Sequence, residues 1–319
     1  MTTTMLAERA EAPGKVNLFF AAGPRRADGY HEVASLYCAV SATEVVTATL
    51  TRATGADVAV DVAVVPGSLV AQQEAAGSFS LDGVPTDASN LAVRAAHAVL
   101  ELFPPLVGGL HLTIDKAVPV AGGMGGGSAD AAAALVAVNR LAARVSGRPA
   151  LDDDALLGLA ARLGADVPFA LTGGAAVGTG TGAELRPVRT GTALHLVLVA
   201  GTGGLSTPAV YAELDRLREH EDVPAPELPA GLERALATGS AAELAPLLRN
   251  DLQPAALSLA PELEDVLAAG RAAGALTSIV SGSGPTTAHL APDAAAAQEQ
   301  AARFTRRGLA ALAVTAPPA

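Results

Sequence analysis

PVAGGMGGGSADAA, residues 119–132, puts five glycines into the six positions 122–127 and then runs into alanine. Glycine in such number costs backbone entropy, so the loop is expected to wrap something that a side chain would obstruct. Ahead of it, LHLTIDK (110–116) alternates like a strand. Behind it, Ser128 is expected to open a helix that runs to about Val145. A glycine loop between strand and helix gathers unsatisfied N–H groups at the positive end of a helix dipole. That is an anion site, and phosphate is its usual occupant. The better-known phosphate loops do not fit. No lysine follows the glycines as in a Walker A loop, the G-x-G-x-x-G spacing is missing, and no V-A-I-K or H-R-D of a protein kinase occurs. A plain flexible turn is the competing reading.

Working outward, residues 10–65 read as β-rich. KVNLFFAA is apolar from Lys15, HEVASLYCAV partly alternates from His31, and VVTATLT and DVAVDVAV alternate from Val45 and Asp57. Gly23-Pro24 and Ala27-Asp28-Gly29 turn the first pair. Residues 65–87, rich in glycine and proline, read as a loop-like insertion. Ser89 and Asn90 cap a helix over 91–103 that Pro104 and Pro105 stop. A further helix covers 152–163, followed by GADVPF. In the second half, strands are expected from His195, Thr277, Thr286 and Leu309. Helices are expected from Thr207 (as N-cap, with Pro208 in its first position), over 229–237 and 241–248, and from Glu262 and Ala294. Antiparallel strands mixed with helices indicate an α+β chain in two parts, 1–175 and 176–319.

The 319 residues are 50% hydrophobic and 17% charged, the composition of a globular chain. A net charge of −11 argues against a nucleic-acid surface but leaves room for a local anion site. The single cysteine, Cys38, permits no intrachain disulfide and sits in the apolar run SLYCAV, where it reads as packing. No signal peptide or run of ~20 apolar residues is present, so a cytoplasmic protein without membrane contact is expected.

Of 21 basic residues only Lys15 and Lys116 are lysines. A chain so partial to arginine retains lysine where a compact point charge is required, or by chance. Lys116 precedes the glycine loop by three residues, and Lys15 enters the first apolar strand. Asp166, in LGADVPFAL, is a carboxylate between apolar runs: a base for a hydroxyl attacking phosphorus, or a turn or cap residue beside Gly164. The six histidines show no metal-ligand spacing.

APGKVNL from Ala12, PVAGGMGGGSADA from Pro119 and VSGSGPT from Val280 together resemble the three ordered motifs of the GHMP small-molecule kinases. RRADGYHE from Arg25 and LGADVPF from Leu163 look like the branch acting on 4-diphosphocytidyl-2-C-methyl-D-erythritol in non-mevalonate isoprenoid synthesis. The resemblance implies a two-domain GHMP kinase fold, with a ribosomal-protein-S5-like N-terminal domain and a ferredoxin-like C-terminal α/β domain. It implies transfer of the γ-phosphate of ATP, with Mg²⁺, to the 2-hydroxyl of the methylerythritol. Lys15 and Asp166 would be the catalytic pair. Pro119, Val120, Ala121, Gly122, Gly123, Met124, Gly125, Gly126, Gly127, Ser128 and Ala129 would cradle the triphosphate, with Lys116 and Asn90 on the adenine side. Asn17 would position substrate. Tyr30 and Tyr211 would stack on the cytosine, His31 would bond its edge, and Tyr37 would support the pocket. The resemblance names no protein ligand to the metal, and the chain is expected to be a monomer or weak homodimer. A mevalonate- or homoserine-type kinase, or a non-catalytic nucleotide-binding protein of the same fold, are the alternatives. DGYH (28–31) and Tyr211 are what separate them.

Overall fold

β1 (Ala7–Arg25) and β2 (His31–Thr51) pair antiparallel along nearly their whole length, turned by residues 26–30 with Gly29 at φ 86°. In this computed structural model, residues 6–52, 58–238 and 240–317 are described. β3 (Val58–Val64) lies parallel to β4 (Gly109–Lys116), and β4 pairs antiparallel with β2. Asp57, expected to open the run DVAVDVAV, falls outside the described residues. β5 (Ala175–Thr179) and β6 (Glu184–Pro187) extend the other side, giving the order β3-β4-β2-β5-β6 with β1 also on β2. The expected division at 175 cuts this sheet, which closes only at Pro187. The GTGTG run from Gly178 turns β5 into β6 rather than linking domains.

Helices follow in two groups. α1 (Leu69–Ala75), α2 (Leu91–Leu100), α3 (Gly126–Ser146), α4 (Asp153–Leu163) and α5 (Val167–Thr172) belong to the first half. The second half runs β7 (Leu194–Val199), α6 (Thr207–Leu217), α7 (Leu232–Thr238), α8 (Ala241–Leu244), α9 (Gln253–Leu259), α10 (Glu262–Ala272), β8 (Thr277–Val280), β9 (Thr287–Ala291), α11 (Ala294–Arg306) and β10 (Ala311–Ala316). Its sheet is antiparallel throughout, in the order β10-β7-β9-β8.

Period-two alternation arranges these elements in layers. Leu36, Cys38 and Val40 of β2 join Val16 and Leu18 on one face, where they meet Leu194, Leu196 and Leu198 of β7. At ~1.5–3 kcal/mol per buried leucine side chain, this sheet-on-sheet seam binds the two halves. Val197 and Val199 point the other way, toward Phe304 of α11. On the far side of the first sheet, Ala131, Ala132, Ala133 and Ala134 of α3 are fully buried with α2 residues and β4. Small side chains let that helix lie close to the strands. Cys38 is sealed in the first seam, and burial pushes its thiol up to about 12, so it is packing.

The stretch 65–87 is not merely a loop. Ser68 Oγ accepts from Ala71 N at 3.1 Å and caps α1, whose Leu69 and Val70 are buried. Gln72 straps α1 to the edge strand β10, donating to Ala311 O at 3.0 Å and accepting from Ala311 N at 2.9 Å. Proline and glycine on both flanks hide a helix of only seven residues from a pattern reading. Two helix starts also differ from expectation. α3 begins at Gly126 behind a left-handed Gly125, two residues before Ser128, and Ser206 rather than Thr207 takes the N-cap position of α6, without a side-chain capping bond.

Candidate active site

Lys15 and Asn17 share a face of β1 opposite Val16 and Leu18, between two register shifts in the β1–β2 ladder. Such irregularities re-aim side chains. Lys15 Nζ donates to Asn17 Oδ1 at 2.8 Å and lies 3.8 Å from Asp166 Oδ2. Asn17 Nδ2 donates to Ser35 Oγ at 2.8 Å, so both ends of its amide are engaged in holding Lys15. Asp166 sits just before α5, yet its side chain makes no capping bond. With its side chain 32% exposed, the carboxylate is free for other work in a cleft of about 510 Å³.

The glycine loop forms the cleft wall opposite. Lys15 N donates to Met124 O at 2.9 Å, which ties the loop to β1. A side chain on Gly125 would stand 3.3 Å from Lys15 Cγ, and φ there is 69°, so only glycine leaves the lysine its place. Gly126, Gly127 and Ser128 follow as the first turn of α3 and line the cleft. Their amides are the orphan donors of a 21-residue helix, a fitting seat for phosphate. The SGSG turn backs this loop. Ser281 Oγ donates to Gly123 O at 3.3 Å and accepts from Asn17 N at 3.3 Å, and Thr286 N donates to Gly122 O at 3.3 Å. All three sequence motifs therefore meet at one place.

Not every loop residue faces the cleft. Met124 and Ala129 are sealed in the core, and Ala129 N is already bonded to Gly125 O. Val120 is exposed but stands outside the cleft lining. Asn90 spends its amide on α2, accepting from Ala92 N at 2.8 Å and donating to Pro85 O at 2.6 Å. Leu91 beside it reaches the cleft instead.

Lys116 also differs from expectation. It does not line the cleft but lies beneath the loop, 1% exposed, with Nζ 2.7 Å from Glu44 Oε1 and 2.5 Å from Asp130 Oδ2. Glu44 accepts in addition from Ala117 N at 2.9 Å and Val118 N at 3.2 Å. Burial, and then the charge of Asp130, push the Glu44 carboxyl up to about 7 against the pull of Lys116. Burial works against the ammonium, but the two carboxylates outweigh it and hold Lys116 above the usual lysine range. The triad anchors the strand end and the loop; a side chain on Gly126 would touch both Glu44 and Lys116 at 3.3 Å.

The aromatic residues divide. Tyr37 and Tyr211 line the cleft. Tyr37 is buried, its ring 5.4 Å from Phe169 and 5.5 Å from Lys15 Nζ. Burial, then the charge of Asp166, raise its hydroxyl, and the same two causes push Tyr211 up to about 12, so both stay neutral. His31 stacks on Tyr211 at 4.9 Å, and its Nε2 lies 2.7 Å from Asp215 Oδ1. Tyr30 is 66% exposed, with its ring open to solvent at the edge of this region. Among the described residues no three His, Cys, Asp or Glu side chains gather as a metal cage.

Glu44, Asp215 and Asn250 escaped the sequence reading, and Asp130 and Ser281 entered it only as motif members without a role. Asn250 Nδ2 fixes the SGSG turn by donating to Val280 O and Gly282 O at 2.8 and 2.7 Å. Signals for some existed: Glu44 and Asp130 are single acids in runs of small and apolar residues, and Asp215 falls four positions after Tyr211 on one helix face.

Comparison with known proteins bears on the family and the fold. The family model for the GHMP kinases N terminal domain matches residues 90–174, and that for the GHMP kinases C terminal domain matches 232–310. The 4-diphosphocytidyl-2-C-methyl-D-erythritol kinase of Pseudarthrobacter chlorophenolicus is 49% identical over 315 residues, 97% of this chain and 92% of that protein. The protein of the same name from Thermobifida fusca is 49% identical over 95% of this chain and 93% of its own length. A crystal structure of 4-(cytidine 5'-diphospho)-2C-methyl-D-erythritol kinase superposes with a TM-score of 0.75 at 31% identity, covering 98% of this chain and all of that one. The mevalonate kinase of L. major, at 18% identity and a TM-score of 0.72, shares the fold.

Proposed function

The chain belongs to the GHMP kinase family, and we propose that within it the enzyme transfers the γ-phosphoryl group of ATP to the 2-hydroxyl of 4-diphosphocytidyl-2-C-methyl-D-erythritol. The observation that carries this reading is one cleft holding the Lys15–Asp166 pair, the glycine-walled start of α3 and Tyr211 together. The polyphosphate lies against the free amides of Gly126, Gly127 and Ser128, where the α3 dipole favours negative charge. The acceptor hydroxyl approaches Asp166, whose carboxylate takes its proton as the oxygen bonds to the γ-phosphorus. The bond from that phosphorus to the bridging oxygen breaks, and ADP leaves with the electron pair. Lys15, held by Asn17, faces the charge that spreads over the transferring group. Little covalent work falls to the protein; positioning and charge carry the catalysis.

Magnesium suits the chemistry as a counter-ion to the phosphates. It is expected to arrive on the nucleotide, because hard divalent ions of this size keep phosphate and water ligands. The Ser128 hydroxyl and the Asp166 carboxylate, both in the cleft lining, are oxygens that would face it. Tyr30 and Tyr211 take the two faces of the cytosine and His31 its edge, with Tyr37 behind them. We place the enzyme in the cytoplasm as a monomer or weak homodimer. No helix among the described residues is long and apolar enough to cross a membrane.

The test is a transfer assay with radiolabelled ATP and three acceptors: the cytidyl diphosphate compound, mevalonate and homoserine. Transfer to the cytidyl compound is the expected result. Transfer to either of the others with none to the cytidyl compound overturns the assignment.

A further inference from the structure

Two cavities meet at one aromatic pair. Tyr211 lines the main cleft and stacks on His31, and His31 lines a second recess of about 410 Å³ with Asp215, Arg25 and Arg218. The His31 ring is buried and held from two directions, by the Tyr211 face and by Asp215 at Nε2. Tyr211 and Asp215 stand four residues apart on α6, so one face of one helix supplies both constraints. Arg25 Nε lies 3.8 Å from the other oxygen of Asp215. Nδ1 of His31 has no hydrogen-bond partner among the described residues, and it is not among the sealed polar atoms that lack one. Its hydrogen-bonding capacity is unspent.

We propose that Asp215 is a positioning residue that sets base specificity by fixing the tautomer of His31. The inference rests on the reading that a cytidyl group is the acceptor's recognition handle. A carboxylate only accepts hydrogen bonds, so Asp215 holds the ring proton on Nε2. The neutral ring then presents a bare acceptor at Nδ1. Cytosine carries an exocyclic amino donor where uracil carries a carbonyl oxygen. The donor completes the pairing, whereas the carbonyl sets acceptor against acceptor and leaves both unpaired in a desolvated place. Discrimination between the two bases therefore originates one step behind the residue that touches them.

The experiment compares kcat/KM for the cytidyl acceptor and its uridyl counterpart in wild type, Asp215→Asn and Asp215→Glu, with the KM for ATP followed alongside. The ring nitrogens of His31 are read by ¹⁵N NMR at about pH 8.5, roughly 2 units above the ordinary imidazole value. The wild type is expected to prefer the cytidyl acceptor and to show a single tautomer protonated on Nε2. Asp215→Asn, whose amide donates as well as accepts, is expected to lower the preference about tenfold and to mix the tautomers. Asp215→Glu recovers much of both, and the KM for ATP stays put in each variant. An undiminished cytidyl preference or unchanged ring nitrogens in Asp215→Asn overturns the proposal. So does a wild-type ring carrying its proton on Nδ1, which needs no variant. A wild type indifferent to the two bases overturns the acceptor reading itself, a result separable from the others because it precedes any substitution.

Discussion

Lys15 and Lys116, the two lysines of the chain, occupy opposite kinds of site on either side of the glycine loop. Lys15 has a neutral amide at 2.8 Å and its carboxylate at 3.8 Å, and it opens on a cleft. Lys116 is closed in by two carboxylates and has no exposure to speak of. One cation is left incompletely paired, so a phosphoryl group can recruit it. The other is saturated, so it holds a strand end and a loop still. Scarcity of lysine draws attention to both, but only their partners separate an open cation from a saturated one.

Substituting each lysine is the strongest way to break that contrast. Lys15→Met is expected to lower kcat by about 10²–10³ while the melting temperature hardly moves, since charge stabilisation of the transferring group is lost and little packing changes. A collapse in stability with turnover intact would reverse the assignment. Lys116→Met strands two buried carboxylates, and breaking such a buried arrangement costs about 3–5 kcal/mol. Urea unfolding would read that loss, and a change below about 1 kcal/mol would show that the triad holds nothing together.

The pH dependence of stability sharpens the same contrast. Burial and the charge of Asp130 raise Glu44 from 4.5 to about 7 in the fold. The folded state binds this proton more tightly than the unfolded chain does. Its stabilising contribution is thus fully present below about pH 4.5 and disappears as pH rises through about 7. Glu44→Gln should flatten the decline across that window in urea titrations, and equal slopes for the two proteins would place the proton elsewhere. A smaller effect is expected at the cleft rim. Tyr30→Ala should raise the KM for the cytidyl acceptor about tenfold through loss of a stacking face, with the KM for ATP unchanged. Equal shifts in both constants would remove Tyr30 from the base site.

Much of the fold was legible from period-two alternation and helix punctuation, because β3, β4 and α2 each carry their burial pattern openly. What was missed lacked such a signature. α1 is short and flanked by turn residues, and β5 and β6 sit in a glycine-rich run that resembles a linker. Within the site, Lys15, Asp166 and the loop glycines, which line one cleft, stand in motifs that a family resemblance singled out. Lys116 was misplaced because a lysine beside a phosphate loop looks the same in sequence whether it faces outward or inward. Its partners Glu44 and Asp130 are 72 and 14 positions away, and only the folded sheet brings them under one ammonium. Asp215 was invisible for a similar reason, lying 184 positions from His31.

The most direct test of the whole account is single-turnover phosphoryl transfer by Asp166→Asn, read together with its ATP affinity. Loss of the proton acceptor should slow transfer by about 10²–10⁴, while the dissociation constant for ATP stays within about threefold of wild type. Transfer at the wild-type rate, or a fall in ATP affinity that matches the fall in rate, would contradict it.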